Sequence, residues 1–407
     1  MPSRQDGMEM DPNFNKGVVV AGAGPVGLTL ALKILRAGIP VTVLEKRDTV
    51  NEQSKASTFH ASTLDILDTL GVLESMRADG TQIDCVQYRR PSGEVLAQLD
   101  FSLLEGLVRH PIRLHYEQVA LTRLMRDLFL AEGGRLLFGA GVTGVTQDAA
   151  GVVVTAADGS THEGFALFGC DGAQSAVREA VRIGYVEKPY PGMVLRLYSK
   201  KSMRDYFPDL GGIVYLHEGE DTCSLLEMPD CWRIVVRVPA GVSEAEALSD
   251  AWVIDRLKGL LPIEEILPQL AGRDVYSARR RHALGASVGK VYIAGDALHL
   301  TNTKGGMNLN AGLHDAVAYA AAAIEVAASG DYTALDRAAW ERGRVARDLL
   351  IPRTDTNVGT GSARVARIAG IAADPVQAVE FLAKQAMLDM LAGVPAGVVG
   401  QGDRANG

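Results

Sequence analysis

Residues 17–47 contain the feature that most constrains the fold of this chain, a glycine-rich turn between two apolar runs. Residues 17–21 form a short, apolar, β-branched run, as a strand buried on both faces requires. Apolar residues then recur at helical spacing over 25–37, and the glycine at 38 favours the end of a helix. A second apolar run covers 41–44. The pattern predicts one strand–helix–strand unit that opens a parallel sheet.

The turn itself reads Gly-Ala-Gly-Pro-Val-Gly over residues 22–27, and the strand and helix on either side are the context that a dinucleotide-binding turn needs. The first glycine permits the tight turn, the second lets the backbone approach a pyrophosphate, and the third lets helix and strand pack closely. The helix N-terminus offers free N–H groups to phosphates. An acidic residue at 45 can accept hydrogen bonds from a ribose diol. A turn without a ligand is the alternative, and the turn does not distinguish FAD from NAD. The candidate contacts are Gly22, Gly24, Pro25, Val26, Gly27, Glu45 and Lys46.

Composition and charge narrow the class of protein. The chain has 407 residues, 47% of them hydrophobic, so it folds around a core, and its length predicts two or three domains. A net charge of −8 without long runs of either sign argues against nucleic-acid binding. The N-terminus lacks the apolar region of a secretory signal, and no apolar run reaches the ~18 residues of a membrane span. Four scattered cysteines predict neither a disulfide framework nor a metal site, which fits a reducing cytoplasm.

Two further motifs follow the glycine-rich turn. Residues 168–178 read FGCDGAQSAVR, and residues 291–316 read VYIAGDALHLTNTKGGMNLNAGLHDA. In this order and spacing over residues 17–350, the three motifs resemble the aromatic hydroxylase branch of the flavoprotein monooxygenases, the family that includes para-hydroxybenzoate hydroxylase. The resemblance implies an α/β fold: a Rossmann-type FAD/NAD(P)-binding domain with an inserted antiparallel β-sheet substrate domain and C-terminal helices.

The resemblance also implies FAD as the cofactor. The carboxylate at 296 is expected on the flavin ribitol or ribose, and the loop after it is expected to pass along the isoalloxazine. A helix beginning near residue 310 would point its N-terminus at the flavin N1–C2=O region and stabilise negative charge there. The implied contacts are Gly295, Asp296, Gly305, Gly306, Met307, Asn308, Leu309 and Asn310.

Four other positions are implied as cofactor contacts. Asp171 and Arg178 are expected to serve both FAD and the nicotinamide cofactor, and the alternative is a structural turn in which Asp171 caps a helix and pairs with Arg178. Gln118, in a segment similar to the family's Tyr-x-Gln, is expected at the FAD sugar. Lys55 stands where many members have an arginine near the pyrophosphate, and a solvated surface lysine is the alternative.

The chain departs from the family pattern in the loop that follows the third motif's strand. The stretch 301–304, Thr-Asn-Thr-Lys, replaces one that often holds a proline beside the flavin, and Asn308 stands where the family usually has glycine. Both changes alter the backbone next to the ring, so the shape of the loop and the mobility of the flavin are open. Leu226 falls where para-hydroxybenzoate hydroxylase has an arginine for the substrate carboxylate, so a benzoate-type anchor is not predicted.

The function implied by the resemblance is that of a single-component monooxygenase. It would use NADPH or NADH, bound transiently, and O₂ to hydroxylate a phenolic or other activated aromatic molecule, polycyclic ones included, through a flavin C4a-hydroperoxide. No catalytic residue is assigned. Candidates for proton transfer or substrate contact, each more often an ordinary packed or exposed residue, are Tyr198, Tyr215, His217 and His60.

Two other functions are weighed against hydroxylation. A FAD-binding NAD(P)H oxidase or redox protein would use the same loops without a productive substrate. A flavin-dependent halogenase would carry a Trp-x-Trp-x-Ile-Pro motif, and the three tryptophans, at 232, 252 and 340, do not form one.

The predicted partners are a small aromatic molecule, O₂ and NAD(P)H, and a homodimer is the assembly considered. The domains are predicted to be discontinuous. The predicted FAD-binding domain comprises 14–80, 105–185 and 270–350, the substrate sheet 81–104 and 186–269, the C-terminal helical region 351–400, and the flexible termini 1–13 and 401–407.

Overall fold

The computed structural model describes residues 15–51, 56–358 and 361–391. The strands in these ranges are β1 (Val18–Ala21), β2 (Val41–Leu44), β3 (Thr58–Phe59), β4 (Thr81–Ile83), β5 (Cys85–Arg89), β6 (Val95–Asp100), β7 (Arg113–His115), β8 (Arg135–Leu137), β9 (Val142–Asp148), β10 (Gly151–Ala156), β11 (Thr161–Gly164), β12 (Ala166–Gly169), β13 (Tyr185–Pro189), β14 (Met193–Ser199), β15 (Ile213–Glu218), β16 (Asp221–Glu227), β17 (Trp232–Val238), β18 (Leu270–Tyr276), β19 (Arg279–Ala283), β20 (Ser287–Val288), β21 (Val291–Ile293) and β22 (His299–Leu300).

The α-helices in the same ranges are α1 (Pro25–Arg36), α2 (Ala61–Thr69), α3 (Leu73–Asp79), α4 (Gln118–Ala131), α5 (Ala176–Ala180), α6 (Glu244–Ala247), α7 (Asp250–Leu257), α8 (Ile263–Ile266), α9 (Met307–Ser329), α10 (Thr333–Val345), α11 (Ile351–Val358), α12 (Ser362–Ala372) and α13 (Pro375–Gln385). A π-helical turn, Ala346–Leu350, joins α10 to α11.

The sheet that carries the glycine-rich turn has six strands in the order β20-β21-β12-β1-β2-β8. β1 lies in its middle and pairs in parallel with β2 and β12. Both β1 and β12 are buried along their whole length, as strands covered on both faces require. The predicted strand–helix–strand unit is present, with the strand beginning at Val18 and the helix ending at Arg36. The predicted fold class is confirmed.

The second large sheet has seven strands in the order β18-β14-β17-β16-β15-β5-β6. Its neighbours are antiparallel except β15 and β5, which run in parallel. Alternate residues of β14 and β17, among them Leu195 and Ile234, are buried in a core under α7 and α8. The alternation leaves the opposite face of these strands for the cavity described below. The sheet also includes β18, although the predicted substrate segment ends at residue 269, one residue before this strand begins. The division into domains itself stays a prediction.

The long helix α9 begins at Met307, three residues before the expected start near Asn310. The physical reason is Gly306, whose φ of 64° turns the chain directly into the helix. Asn310 therefore lies in the first turn, where its amide donates to the carbonyl oxygens of Thr58 (2.9 Å) and Gly306 (2.6 Å). Within α9, Ala-rich faces are buried against α1 and α10.

The C-terminal helices cover one end of the seven-stranded sheet. α12 packs on β6, and α13 packs on a 3-10 turn, Phe101–Leu104. Ile368 and Leu382 are buried there with Val86 and Leu99. Residues 392–400 of the predicted helical region and both termini expected to be flexible lie outside the described residues. Within the described ranges, no helix is both long and apolar enough to cross a membrane.

Candidate active site

A large cavity of about 1580 Å³ extends from the glycine-rich turn to the seven-stranded sheet. Its walls include the turn, Glu45, the loop 300–309, and side chains such as Tyr215 on β15 and Arg237 on β17. A typical site for one small molecule has roughly 300–1,000 Å³. The cavity therefore has room for a cofactor and a second ligand together.

The glycine-rich turn is shaped by close backbone packing. A Cβ on Gly22 would lie 2.4 Å from the carbonyl oxygen of Cys170, and a Cβ on Gly27 would lie 2.0 Å from that of Gly22. Gly24 differs, because a Cβ there would meet no protein atom within 4 Å. Since Gly24 lines the cavity, the space beside it is open for a group such as a pyrophosphate that approaches the backbone at the helix N-terminus.

Glu45 is buried at the end of β2 and held in a fixed orientation. One carboxylate oxygen accepts from the backbone N–H of Ala23 (2.9 Å), and the other accepts from that of Arg47 (3.1 Å). Oε1 also accepts from the guanidinium of Arg47 (3.4 Å), whereas Oε2 has a further lone pair, so the carboxylate can still accept from a ribose hydroxyl. Lys46 is exposed and lines the cavity. Lys55 lies outside the described residues.

Asp171 lies on the cavity wall after β12. Its Oδ2 accepts from the backbone N–H of Val177 (3.1 Å) in the first turn of α5, so it helps to cap that helix, as the structural alternative predicts, while the N-cap residue itself is Ser175. Its Oδ1 is buried without a hydrogen-bond partner, and burial raises the pKa of the carboxyl group. A buried acceptor without a partner is costly, so Oδ1 is suited to a donor supplied by a ligand.

Arg178 does not pair with Asp171. The guanidinium is buried and donates to the carbonyl oxygens of Ala297 (3.2 Å) and Ala173 (3.1 Å), while it stacks 3.7 Å from the centroid of the Tyr185 ring. These contacts tie α5 to the loop after β21. The structure therefore gives Arg178 a positioning role, and its predicted contact with a cofactor stays a prediction.

The remaining predicted cofactor residues fall into two groups. Gln118 begins α4, and Pro25 and Val26 begin α1. Those that line the cavity are Pro25, Val26, Gln118, Asp296, Gly305, Gly306, Met307, Asn308 and Leu309. Gly295 and Asn310 lie behind this wall; a Cβ on Gly295 would be 3.1 Å from the Val26 side chain.

A chain of hydrogen bonds runs from the cavity wall into the core. Asn308 donates its amide to Asp296 Oδ1 (2.7 Å), and its carbonyl lies 3.1 Å from His299 Nδ1. His299 Nε2 lies 2.8 Å from Asp315 Oδ2, whose other oxygen accepts from Arg342 (2.6 Å). The sequence showed Asn308 as a departure from the family, but its partners are remote and were not predicted.

This arrangement fixes the protonation state of His299. Both ring nitrogens face oxygen atoms that accept, which only the imidazolium satisfies. Burial opposes the charge, but the carboxylate of Asp315 and the bond to Asn308 raise the pKa of His299 above its ordinary value. Asn308 is therefore held between a cation and Asp296, and it fixes the orientation of the Asp296 carboxylate.

The loop 302–305 is fixed from three sides. Asn302 donates to the carbonyl oxygen of Thr354 in α11 (2.6 Å), and Tyr276 and Thr303 share a hydroxyl hydrogen bond (2.6 Å). His60 Nε2 donates to the carbonyl oxygen of Gly305 (2.8 Å). Complete burial and nearby Arg113 keep the pKa of His60 well below its ordinary value, so the ring is neutral. His60 thus supports the loop.

The other three candidates for proton transfer lie on the seven-stranded sheet. Tyr198 donates to Asp274 (2.6 Å), and burial, followed by this carboxylate, raises its pKa to about 12. Tyr215 lines the cavity, with its ring 5.0 Å from that of Tyr88. His217 stacks on Tyr88 (6.0 Å), and burial lowers its pKa to about 4. Their roles in substrate contact stay predictions.

Comparison with known proteins decides the family. The family model described as "FAD binding domain" matches residues 16–351, most of the chain. The chain belongs to this FAD-binding family. FAD is accordingly its cofactor, and the contacts of FAD with the turn and loops described above stay predictions.

Named relatives narrow the assignment within the FAD-binding family. The chain is 31% identical to para-nitrophenol 4-monooxygenase of Pseudomonas sp. (strain WBC-3) over 84% of its length and 86% of the relative's. It is 28% identical to dialkyldecalin synthase of Streptomyces rugosporus over 74% of its length but only 63% of that protein's. The crystal structure of p-nitrophenol 4-monooxygenase from Pseudomonas putida DLL-E4 is similar with a TM-score of 0.81 and 25% identity, covering 91% of this chain and 98% of that one. The chain is assigned to the FAD-dependent aromatic monooxygenases.

The residues present fit the FAD of this family. The open backbone at Gly24 suits the pyrophosphate, the fixed carboxylate of Glu45 suits a ribose, and the unpartnered Oδ1 of Asp171 suits a hydroxyl or N–H donor. Gly305 and Gly306 lie on the cavity wall at φ values of 96° and 64°, so the backbone can turn there along the face that a planar ring would occupy. The cavity therefore offers acceptors and close backbone at the places that the predicted contacts require.

Three cationic side chains on the cavity wall were not predicted, although two of them lie in segments with a recognisable sequence pattern. Lys304 belongs to the unusual stretch 301–304, and Arg237 belongs to the alternating run at 232–238, whose odd-numbered residues share one face. Arg113 gave no signal, because only the tertiary structure brings β7 to the cavity.

Proposed function

We propose that the protein is a single-component monooxygenase that uses NADPH or NADH and O₂ to hydroxylate a phenol or another activated aromatic molecule. The observation that carries the proposal is the continuous cavity, which joins the FAD turn to a sheet face lined by Tyr198, Tyr215 and Tyr276. A relative that is named a para-nitrophenol 4-monooxygenase, and matched over 86% of its length, supports a phenolic substrate. We propose that one oxygen atom of O₂ reaches the aromatic substrate by way of the flavin, as the resemblance to the flavoprotein monooxygenases implies.

Reduced FAD supplies the activation of O₂ in this chemistry. The chain's own residues bind the cofactor and the substrate, orient them towards each other and exclude water. Asp296 and Glu45 are proposed to hold hydroxyl groups of the cofactor, and the pinned loop 302–305 to fix the plane of the ring. α12 and α13 cover the end of the seven-stranded sheet, which supports a role in keeping water from the substrate.

The test is a measurement of coupled turnover. Protein loaded with FAD is supplied with NADH or NADPH, O₂ and a panel of phenols, and the consumption of both cosubstrates is compared with the yield of hydroxylated product. We expect a phenol in the panel to accelerate NAD(P)H oxidation and to gain one oxygen atom from ¹⁸O₂. Reactions without an aromatic compound serve as controls.

The NAD(P)H oxidase alternative gives a different result in the same assay. An oxidase consumes NAD(P)H at a rate independent of the phenol and returns the oxygen as H₂O₂. That outcome across a broad panel of phenols and quinones would contradict the hydroxylase proposal.

A further inference from the structure

Cationic side chains on the cavity wall differ in whether a carboxylate neutralises them. Arg196 pairs with Asp274 (2.9 Å), and Arg233 pairs with Glu117 (3.0 Å). Lys304, Arg237 and Arg113 also line the cavity. Within the described residues, none of these three forms an ion pair with a carboxylate.

The buried position of these cations makes the missing partner significant. Arg113 has only 6% of its surface exposed, and Lys304 and Arg237 are half-buried. A charge removed from water without a counter-ion costs free energy, and a bound anion offsets that cost. The cavity wall is therefore suited to a ligand that brings a negative charge with it.

Lys304 is the best placed of the three to meet a substrate. It lies in the loop 302–305, where its backbone N–H donates to Asn302 Oδ1 (2.9 Å). Its Nζ lies 5.6 Å from the centroid of the Tyr215 ring, which also lines the cavity. Because Asn302 and Gly305 on either side of Lys304 are hydrogen-bonded to other elements, the lysine backbone is fixed and its Nζ is held at the cavity wall beside Tyr215.

We propose that Lys304 binds the ionised oxygen of a phenolic substrate and accepts the proton that the phenol loses. This inference rests on the proposed function. In the step the phenol O–H bond breaks, a new N–H bond forms on Nζ, and the products are a phenolate and an ammonium ion paired with each other. No electron is transferred, and no other reactant is consumed.

The charges around Lys304 favour this exchange. Burial, and after it the positive charges of Arg364 on α12 and Arg237 on β17, lower the pKa of Lys304 to about 7. The other titratable groups around it are Tyr215 and His217 on β15, Tyr88 on β5 and Arg113 on β7, and His217 is neutral above pH ~4. At neutral pH a large fraction of Lys304 is therefore uncharged and able to take a proton. Once the phenolate has formed, its negative charge stabilises the ammonium ion.

The experiment uses 4-nitrophenol as the probe, because its visible absorption distinguishes phenol from phenolate. FAD-loaded protein without NAD(P)H is titrated with 4-nitrophenol at several pH values, so no turnover occurs. In the unmodified protein we expect the bound probe to ionise at a lower pH than the free probe. The methyl ether 4-nitroanisole keeps the nitrophenyl ring and adds one methyl group in place of the ionisable proton, so the change in its binding between variants reports on packing.

Lys304→Gln removes the charge, Lys304→Arg keeps it, and Lys188→Gln changes an exposed lysine away from the cavity. We expect Lys304→Gln to weaken 4-nitrophenol binding about tenfold and to raise its bound pKa by about one unit, as the loss of one charge-assisted contact predicts. Lys304→Arg should keep the affinity within about threefold, and Lys188→Gln should match the unmodified protein. Binding of 4-nitroanisole should be unchanged in all three variants.

Two results would overturn the inference. One is an equal loss of 4-nitrophenol and 4-nitroanisole binding in Lys304→Gln, which would show a packing role. The other is a pKa of 4-nitrophenol that is as high in the unmodified protein as in water. This result would overturn the inference even if Lys304→Gln fails to fold. If hydroxylation fails while the bound probe ionises as expected, the proposed function is wrong and the anion site stands.

Discussion

At the scale of single residues, Asn308 changes the character of the flavin loop. The family usually has glycine there, whereas this chain places an amide between Asp296 and the imidazolium of His299. The amide transmits no charge, but it fixes the Asp296 carboxylate through a hydrogen bond of 2.7 Å. A flexible position has thus been replaced by a fixed one beside the cofactor.

We therefore predict that Asn308→Gly weakens FAD binding several-fold and lowers the melting temperature by a few degrees. The variant loses two hydrogen bonds, and a glycine in a helix costs ~1 kcal/mol relative to alanine. FAD affinity from flavin fluorescence and a thermal melt measure the two effects. Asn308→Ala separates them, since it removes the amide without the glycine. Unchanged FAD affinity in both variants would remove the proposed role of Asn308.

Asp296 itself is predicted to hold a cofactor hydroxyl. Replacing Asp296 with alanine should reduce FAD retention during gel filtration and raise the Kd for FAD by about tenfold or more, since a charge-assisted hydrogen bond is lost. Asp255→Ala is the matched control, because that carboxylate pairs with Lys258 on the exposed face of α7. Equal retention of FAD by the two variants would contradict the assignment.

At the scale of secondary-structure elements, α9 and α10 are joined by a buried charged cluster. Asp315 on α9 is fully buried and accepts from Arg342 on α10 (2.6 Å), from His299 and from the backbone N–H of Gly295 (3.0 Å). Arg342 also donates to the carbonyl oxygen of Met390 (2.5 Å). Burial opposes the ionised form, yet Arg342 and His299 lower the pKa of Asp315 to about 2. The cluster ties the flavin loop to two helices and to the last described turn.

Arg342→Met is therefore expected to destabilise the protein by about 3–5 kcal/mol, because it leaves a buried carboxylate with only part of its compensation. Urea unfolding followed by circular dichroism measures the change. In the double variant Asp315→Asn, Arg342→Met the buried carboxylate is absent and His299, without it, becomes neutral, so we expect part of the stability to return. A single-variant loss below about 1 kcal/mol would show that the cluster contributes little.

At the scale of the whole molecule, the six-stranded sheet forms one end of the cavity and the seven-stranded sheet forms the other. Sequence periodicity predicted β1, α1 and β2 to within a residue at their ends, because short apolar runs and a glycine-rich turn act locally. It did not predict the start of α9, which depends on the φ of Gly306, or the grouping of Lys304 with Arg237 and Arg113. Those features depend on contacts between distant segments, which periodicity does not contain.

The two-sheet cavity predicts that FAD stabilises the whole fold. At a FAD concentration 100 times Kd, binding adds about 2.7 kcal/mol to the stability and raises the melting temperature. In Gly24→Val the new side chain projects into open space at a φ of −80°, so the apo protein should melt as the unmodified protein does. The stabilisation by FAD should be lost, because the side chain fills the place of the pyrophosphate. A Gly24→Val protein still stabilised by FAD would contradict the placement of the cofactor.

The bond from Asn302 to the carbonyl oxygen of Thr354 bears on where the functional unit ends. The family match stops at residue 351, three residues before the acceptor of that bond. A graft of residues 16–351 into a relative would carry the loop but leave behind one of its three supports. We therefore expect a chimera or minimal catalytic fragment of this protein to need all of α11. This helix lies almost wholly beyond the family match, yet it supports the loop at the cavity wall.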